Sequence, residues 1–474
     1  FGEFIMMTWF SDLSLRIKLL TFFLIVGLVP FLTGGTISYN ASDAALRAQI
    51  IAQLDGIRTT KQRQIESYFE ERKGDMEVLA QTAQALWQQS STALTGIQTQ
   101  KRDRVRNYYN RTLKLGEDAK LNIRFTGGIK DFTVAMSKGL SSPEYKAVLN
   151  ERDKGIKSVR DNFAVANILL IDTNGNIVYS SNTTPDLGQN VKEGALKNSP
   201  LGKAFNKSRY EAAVEDFALY DPLKEYASFV SVPLNDESGN YLGAVAFQIS
   251  KEEIDRIIQE RTGLTANAES FLIAKDSDGS FTYRSDRVIK QGKIGDERAS
   301  APFIEAALSG RNGRTFEVGS TGKYELILYD NLKIGDLTWG IVTTVPVEEV
   351  ISPKAEGENE DYFSKYVKAY GYYDLMIVSN TGHVLYTAAK ESDYNSNVFT
   401  GQYKDSGLGR VAKKAFDRRG FVFEDFSKYA PSNNQVSGFI AQPVVDKGEE
   451  IFVMALQLNP TAINKFMQER TGLG

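Results

Sequence analysis

The sequence predicts an α+β chain: an N-terminal membrane helix, a long helical stalk and three antiparallel-sheet lobes. Three observations carry that expectation. An uncharged apolar run occupies residues 19–37, and a three- and four-residue apolar period continues to about Arg160. Beyond Phe163 the period falls to two, and one hairpin design is written three times. At 474 residues the chain exceeds one ordinary core, so several domains are expected.

The run at 19–37, LLTFFLIVGLVPFLTGGTI, would span about 28 Å as a helix, close to a bilayer core of roughly 30 Å. Arg16 and Lys18 precede it, so the positive-inside rule places residues 1–18 in the cytoplasm and residues after about 38 outside. A cleaved signal peptide is the competing reading. Against it, no small-x-small site follows at once, and the helical pattern continues straight out of Thr36. The opening FGEFIMM looks like a vector or start-site remnant and is set aside.

Residues 38–160 read as a helical stalk. Leu46, Ile50, Leu54, Ile57, Ile65, Phe69, Met76, Leu79 and Trp87 make one apolar stripe. The phrase GIRTTKQRQIESYF at 56–69 returns as GIQTQKRDRVRNYY at 96–109, a period of 40 (96 − 56). Two copies are too few for a solenoid, so a pair of related helices is expected, packed on each other or on a dimer partner. The excess positive charge between Arg58 and Arg124 is read as solvated helix faces.

The hairpins fall at 167–180, 270–283 and 374–386; in each an apolar strand meets a polar turn with glycine, and the second strand ends on tyrosine. Two-stranded returns follow at 227–250, 323–346 and 437–458, giving lobes at 161–264, 265–350 and 362–474. The acidic stretch from Val347 to Asp361, with Pro353 and Gly357, reads as a linker, placed at 351–361. Lobes one and three match throughout: EDF at 215–217 against 424–426, Tyr220 against Tyr429, Pro233 against Pro443. Each closes in a helix ending QERTGL, at 259–264 and 468–473, a helix end with a glycine stop. Lobe two is a different subtype, and by this order a fourth lobe is expected after Gly474.

Several chemistries are disfavoured. The chain has no cysteine and one histidine, His383, which removes Cys/His zinc sites and a serine–histidine triad needing a second histidine. A net charge of −3 argues against nucleic acid as a partner. The dinucleotide-like GLGRVA at 407–412 follows no apolar strand and reads as a helix start. Its lobe-one equivalent, SPLGKA at 199–204, lacks the glycine pair. DTNGN at 172–176 and DSDGS at 276–280 place glycine too early for a calcium loop and read as hairpin turns, and His383 is expected to lie exposed in such a turn. Neither an active site nor a cofactor or metal site is expected.

The anchor after SLRIK (14–18), the helix QIESYFEERKGD (64–75), KYVKAYGYYD (365–374), DFSKYAPS (425–432) and the QERTG helix end together resemble the double Cache (tandem PAS-like) sensor regions of bacterial transmembrane receptors, above all methyl-accepting chemotaxis proteins. The resemblance implies that the lobes are PAS-like (Cache) domains in the periplasm or outside the cell, anchored in the inner membrane and expected to dimerise through the stalk; the chain departs from the family where residues 347–361 lead into a third lobe instead of back to the membrane. It implies a small polar metabolite as ligand and binding rather than catalysis. A chemotaxis kinase and adaptor would be reached only through a cytoplasmic region, and this sequence contains none. Sensors of histidine kinases or cyclic-dinucleotide enzymes, and an adhesion protein using the lobes as spacers, are the alternatives.

In such a lobe the ligand lies between the sheet and the loops over it. The candidates are Tyr179, Ser181, Asp216, Tyr220, Tyr226 and Ser228 in lobe one, and Tyr386, Lys390, Asp393, Tyr394, Asp425, Tyr429 and Gln442 in lobe three. Tyrosines supply rigid walls with a hydroxyl, a carboxylate can hold an amine, and a lysine can hold a carboxylate. The competing reading makes the aspartates turn caps and the tyrosines core. The family's common amino-acid pattern puts Arg and Trp-Tyr in the loop above the first sheet. None of Trp9, Trp87 and Trp339 lies there, so an α-amino acid is not implied.

Overall fold

The computed structural model describes residues 13–319, 322–355 and 357–469. The FGEFIMM phrase, most of the expected cytoplasmic segment, and the second QERTGL from Arg470 onward lie outside the described residues.

Residues Leu15–Ala119 form one helix, α1, of 105 residues, about 160 Å long at 1.5 Å per residue. Nothing among the described residues covers the apolar run at 19–37: Phe22, Phe23 and Phe31 are exposed. Thr21 and Thr33 turn their hydroxyls back onto the carbonyls of Ile17 and Val29, which keeps the outer surface apolar. The run is long and apolar enough to cross a membrane. The stripe below it divides. Leu46, Ile50 and Leu54 stay exposed, whereas Met76, Leu79 and Trp87 are fully buried.

The two phrases 40 residues apart do not form a pair of helices; both lie on α1. Forty residues are close to eleven helical turns, so the copies present the same face. Each copy grips the end of a different short helix. The Lys101 ammonium donates to the carbonyl of Ile258 (2.7 Å), the last residue of α5 (Lys251–Ile258). The Lys61 ammonium donates to the carbonyls of Phe466 (2.5 Å) and Met467 (3.3 Å) at the end of α10 (Thr461–Gln468). QERTGL follows both helices, so the two repeats in the sequence are one repeat in space: a stretch of α1 together with the helix end that docks on it. After α5, Gly263 takes φ +77°, and Arg261 donates to the carbonyls of Thr265, Ala266 and Ala268, holding the turn into the next sheet.

Two helices follow α1. Asn122 caps α2 (Ile123–Met136), and Ser142 caps α3 (Pro143–Phe163), whose proline stands in the first turn. Three antiparallel sheets come next. The first is ordered β2-β1-β5-β4-β3, from β1 (Asn167–Asp172), β2 (Ile177–Ser180), β3 (Ala213–Tyr220), β4 (Glu225–Asn235) and β5 (Tyr241–Gln248). The second is β8-β7-β6-β11-β10-β9, from β6 (Glu269–Lys275), β7 (Phe281–Tyr283), β8 (Glu297–Arg298), β9 (Gly313–Val318), β10 (Tyr324–Ile334) and β11 (Leu337–Pro346). The third, β13-β12-β16-β15-β14, uses β12 (Asp374–Ser379), β13 (Val384–Thr387), β14 (Val422–Tyr429), β15 (Gln435–Asp446) and β16 (Glu449–Leu458).

Sheets one and three share strand order and even the irregularity in the EDF strand, between Glu215 and Ala218 and between Glu424 and Ser427. One face of each sheet meets helices on the α1 side. The other is covered by a short helix: α4 (Pro200–Lys207), α6 (Pro302–Leu308) and α9 (Gly407–Arg418) respectively. With both faces covered, β1 and β12 are buried along their whole length and read as apolar runs rather than as alternation.

The sheets stack along α1 in reverse chain order. The first packs near Val105 to Leu115, the second near Leu94 to Lys101, and the third against Phe69 to Trp87, nearest the apolar run. The expected linker is partly structured: Val347–Ile351 form a one-turn helix, α7, with Val347, Val350 and Ile351 buried against α1 and the sheets. Their spacing of three and four is helical, and it outweighs the acidic composition. Asp361 then caps α8 (Tyr362–Tyr370).

Candidate functional site

The first unit spends its candidate residues on structure. The Tyr179 hydroxyl donates to Asp153 of α3 (2.9 Å), and its ring packs on Phe132. Ser181 donates to Asn167 (2.8 Å), and Tyr220 donates to Asp186 (2.6 Å) inside the apolar cluster under α4. Ser228 meets the hydroxyl of Tyr109 on α1 and donates to the carbonyl of Glu215. Asp216 takes both its oxygens to Arg284 of the second unit (2.9 and 3.0 Å) and accepts the indole N–H of Trp339 (3.1 Å). Arg284 is buried and also pairs with Asp276. Asp216 is thus a clamp between units. Tyr226 lies at the same junction, its ring against Gly295.

In the third unit the candidates separate. Asp425 is exposed and accepts the N–H of Phe426. Asp393 and Tyr429 are buried and bonded to each other (2.5 Å). Gln442 is half-buried, with an unpartnered carbonyl oxygen. Tyr386, Lys390 and Tyr394 converge, and they converge on residues of the second unit.

There a cavity of about 460 Å³ opens between the second and third sheets. Its walls include Thr265, Asn267 and Lys323 from the second unit, Glu348 and Glu349 from α7, and Lys354, Asp361, Tyr386 and Lys390. Glu348 is its electrostatic centre. It accepts from the Lys323 ammonium (2.8 Å), the Lys390 ammonium (2.8 Å) and the Tyr394 hydroxyl (3.0 Å). Burial works against its charge, but the hydrogen bonds and charges of the two lysines outweigh burial and hold its pKa down at about 2. Lys390 lies 4.1 Å from the Tyr394 ring centre and 4.8 Å from that of Tyr386, and a positive φ of 53° aims it there.

Asp361 accepts from Ser352 (2.5 Å), Tyr386 (2.6 Å) and both the N–H and hydroxyl of Ser364. Burial opposes its charge too, and these donors hold its pKa below the usual value. Among the described residues the Lys354 ammonium makes no ion pair and the buried Thr265 hydroxyl has no hydrogen-bond partner. The cavity therefore offers donors to a polar ligand, and α7 backs it with an apolar face on α1.

Glu348, Asp361, Lys323, Lys354 and Thr265 were not among the sequence candidates. Glu348 and Asp361 sat in the presumed linker, and its acidity was their only signal. His383 is half-buried against Tyr324 of the second unit (ring centres 4.6 Å apart) rather than exposed. The GLGRVA stretch starts α9, with Ser406 as its cap. The turns at 172–176 and 276–280 close hairpins, Asp172 accepting the N–H groups of Asn174 and Asn176.

The chain is similar, at low identity, to many solved structures. An extracellular ligand-binding receptor from Desulfohalobium retbaense DSM5692 is 13% identical with a TM-score of 0.33, the match covering 52% of this chain and 39% of that one. The ligand-binding domain of the Pseudomonas aeruginosa PAO1 amino-acid chemoreceptor PctC, in complex with GABA, is 14% identical with a TM-score of 0.34, covering 53% and 97%. That of the Campylobacter jejuni chemoreceptor Tlp3, in complex with L-valine, is 13% identical with a TM-score of 0.38, covering 57% and 97%. No curated protein matches the chain. The Cache domain family matches residues 42–354, from the exposed part of α1 through the second sheet to the wall of the cavity. The chain belongs to the Cache domain family of ligand-binding sensor domains.

Proposed function

We propose that this chain is the sensing part of a bacterial transmembrane receptor, a methyl-accepting chemotaxis protein before a histidine-kinase sensor. In this reading residues 19–37 span the inner membrane once and the three sheets are three PAS-like lobes outside it, at 161–264, 265–350 and 362–474. Two copies pair through the exposed stalk stripe. A small polar metabolite binds in the cavity between the second and third lobes, where Tyr386, Lys390 and Tyr394 act with Glu348, Lys354 and Thr265. The observation that carries the reading is α7: one face lines the cavity with Glu348 and Glu349, while the other is buried on α1. A ligand that redistributes the lysines around Glu348 acts on a helix seated on the membrane-directed rod, which gives it differential contacts in two states.

Thermal stabilisation by a panel of small carboxylates and zwitterions tests this on the protein from residue 38 onward. A ligand at one hundred times its Kd should stabilise by about 2.7 kcal/mol, and K390M should abolish the effect. Stabilisation that K390M leaves intact would move the site elsewhere. A panel without any saturable effect would overturn the sensor reading.

A further inference from the structure

In the third unit two buried carboxylates, Asp374 and Asp393, stand where the first unit has an amide and a fully satisfied carboxylate, Asn167 and Asp186. Asp374 opens β12 as Asn167 opens β1, and the loops after the hairpins align residue for residue: Lys390 and Thr183 both have positive φ (53° and 52°), and Asn397 and Asn190 make the same bridge back to the turn. In the first unit the Asn167 amide donates to Ser180 (3.0 Å) and Thr184 (3.2 Å), Thr184 donates to Asp186, and Tyr220 takes its other oxygen. Every carboxylate oxygen there has a donor. In the third unit Asn167 is replaced by Asp374 and Thr184 by Glu391, so two donors become two acids.

The consequence is visible atom by atom. Asp374 Oδ1 accepts the N–H groups of Leu375 (2.7 Å) and Ala389 (2.9 Å), while Oδ2 has no partner. Asp393 Oδ2 accepts from Tyr429, while Oδ1 has no partner. Both side chains are wholly shielded from solvent. The remaining groups facing them do not neutralise them. Glu391 is occupied by Ser432 (2.5 Å) and Tyr373 (2.8 Å), and the Gln457 amide on β16 donates to Ser432 and Ser437. Thr387 on β13 accepts the N–H of Lys390, whose ammonium is turned away to Glu348; the Thr387 side chain also favours the charged form of Asp374, but burial outweighs it. Among the described residues neither aspartate forms an ion pair. Among the described residues no set of three acidic or histidine side chains could hold a metal ion.

We propose that Asp374 and Asp393 form a proton-binding site, in which one bound proton seats the 387–394 loop, and with it Lys390 and Tyr394, on the third sheet. Two buried anions without counter-ions repel at low dielectric, the Asp393 charge acting on Asp374, and the loop that carries Asp393 is tied to Asp374 through the N–H of Ala389. Burial raises both groups; Asp374 is pushed to about 7, with the Asp393 charge adding to burial and the Ala389 N–H opposing. The protonated form therefore dominates below neutrality and is lost above it.

Hydrogen exchange of peptide 387–394, expressed as protection factors to remove the intrinsic pH effect, tests the proposal without any ligand. Wild-type protection should fall about tenfold or more between pH 5.5 and pH 8. D374N, which restores the amide of the first unit, should hold the same protection at both. Wild-type protection that does not change, or a D374N loop that loosens as much as wild type, would overturn it. If D374N does not fold, the wild-type comparison decides alone.

Discussion

Replacing Arg284 by alanine tests whether Asp216 is a clamp or a ligand group. Arg284 is 1% exposed and joins Asp216 of the first unit to Asp276 of the second. Breaking a buried pair by removing one partner costs about 3–5 kcal/mol, mostly from the charge left behind. Here the orphans are not fully trapped. The Asp216 side chain is 24% exposed and keeps the Trp339 and Phe217 N–H donors, and that of Asp276 is 34% exposed and keeps the Thr282 hydroxyl. The expected loss is therefore at the lower end, about 3 kcal/mol. D216N, which keeps the shape but weakens the pair, should cost about 2 kcal/mol, on the scale of one charged hydrogen bond. The two should be strongly non-additive in a double-mutant cycle. Urea unfolding followed by tryptophan fluorescence, to which Trp339 contributes with Trp87, reads both, because the Trp339 indole bonds to Asp216 itself. A lower m-value in R284A would show that the first and second units no longer unfold together. Stability of R284A within about 0.5 kcal/mol of wild type, the range of neutral surface changes, would refute the clamp and return Asp216 to the ligand candidates.

Gly409 tests the helix-start reading of GLGRVA. A Cβ there would lie 2.6, 2.7 and 2.9 Å from the carbonyl oxygens of Val398, Lys404 and Tyr403, so G409A should cost about 2–3 kcal/mol in thermal unfolding. A neutral G409A would mean that packing does not explain the glycine. Glu348 supplies a pH signature. Its folded pKa is depressed to about 2, so its stabilisation is present above the unfolded value near 4.5 and is lost as pH falls from there toward 2. E348Q should be less stable at neutral pH by about 1–2 kcal/mol, given that the lysine partners are half-exposed, and the difference from wild type should vanish below pH 2. A gap that persists unchanged in acid would refute the charge-based account.

Much of the fold was legible because its determinants are short-range. The apolar run at 19–37, the three hairpins with glycine turns, the paired returns and the QERTGL helix end each rest on neighbours within about a dozen residues. The site was less legible. Tyr386, Lys390 and Tyr394 stood out as polar residues on one hairpin and its loop, but the partners that gather them, Lys323 and Glu348, belong to another unit. Asp216, Tyr179 and Tyr220 carry the same residue types as a ligand pocket and instead bond to Arg284, Asp153 and Asp186. A tyrosine or carboxylate looks the same in sequence whether its polar end meets a ligand or a buried partner.

Local pattern alone was enough for the α+β class, the helix–hairpin–return order and the duplication of the first unit in the third. The tertiary structure decided the order in which the sheets stack on α1, and that placed the third unit nearest the apolar run. It also showed that the two phrases of the helix repeat lie on one rod, each gripping one QERTGL helix. The physical reason is distance along the chain. Lys61 meets Phe466, and Glu348 meets Lys390, only after three rigid sheets have docked on a common helix. Docking of that kind is settled by the complementarity of whole surfaces, which no stretch of sequence contains by itself.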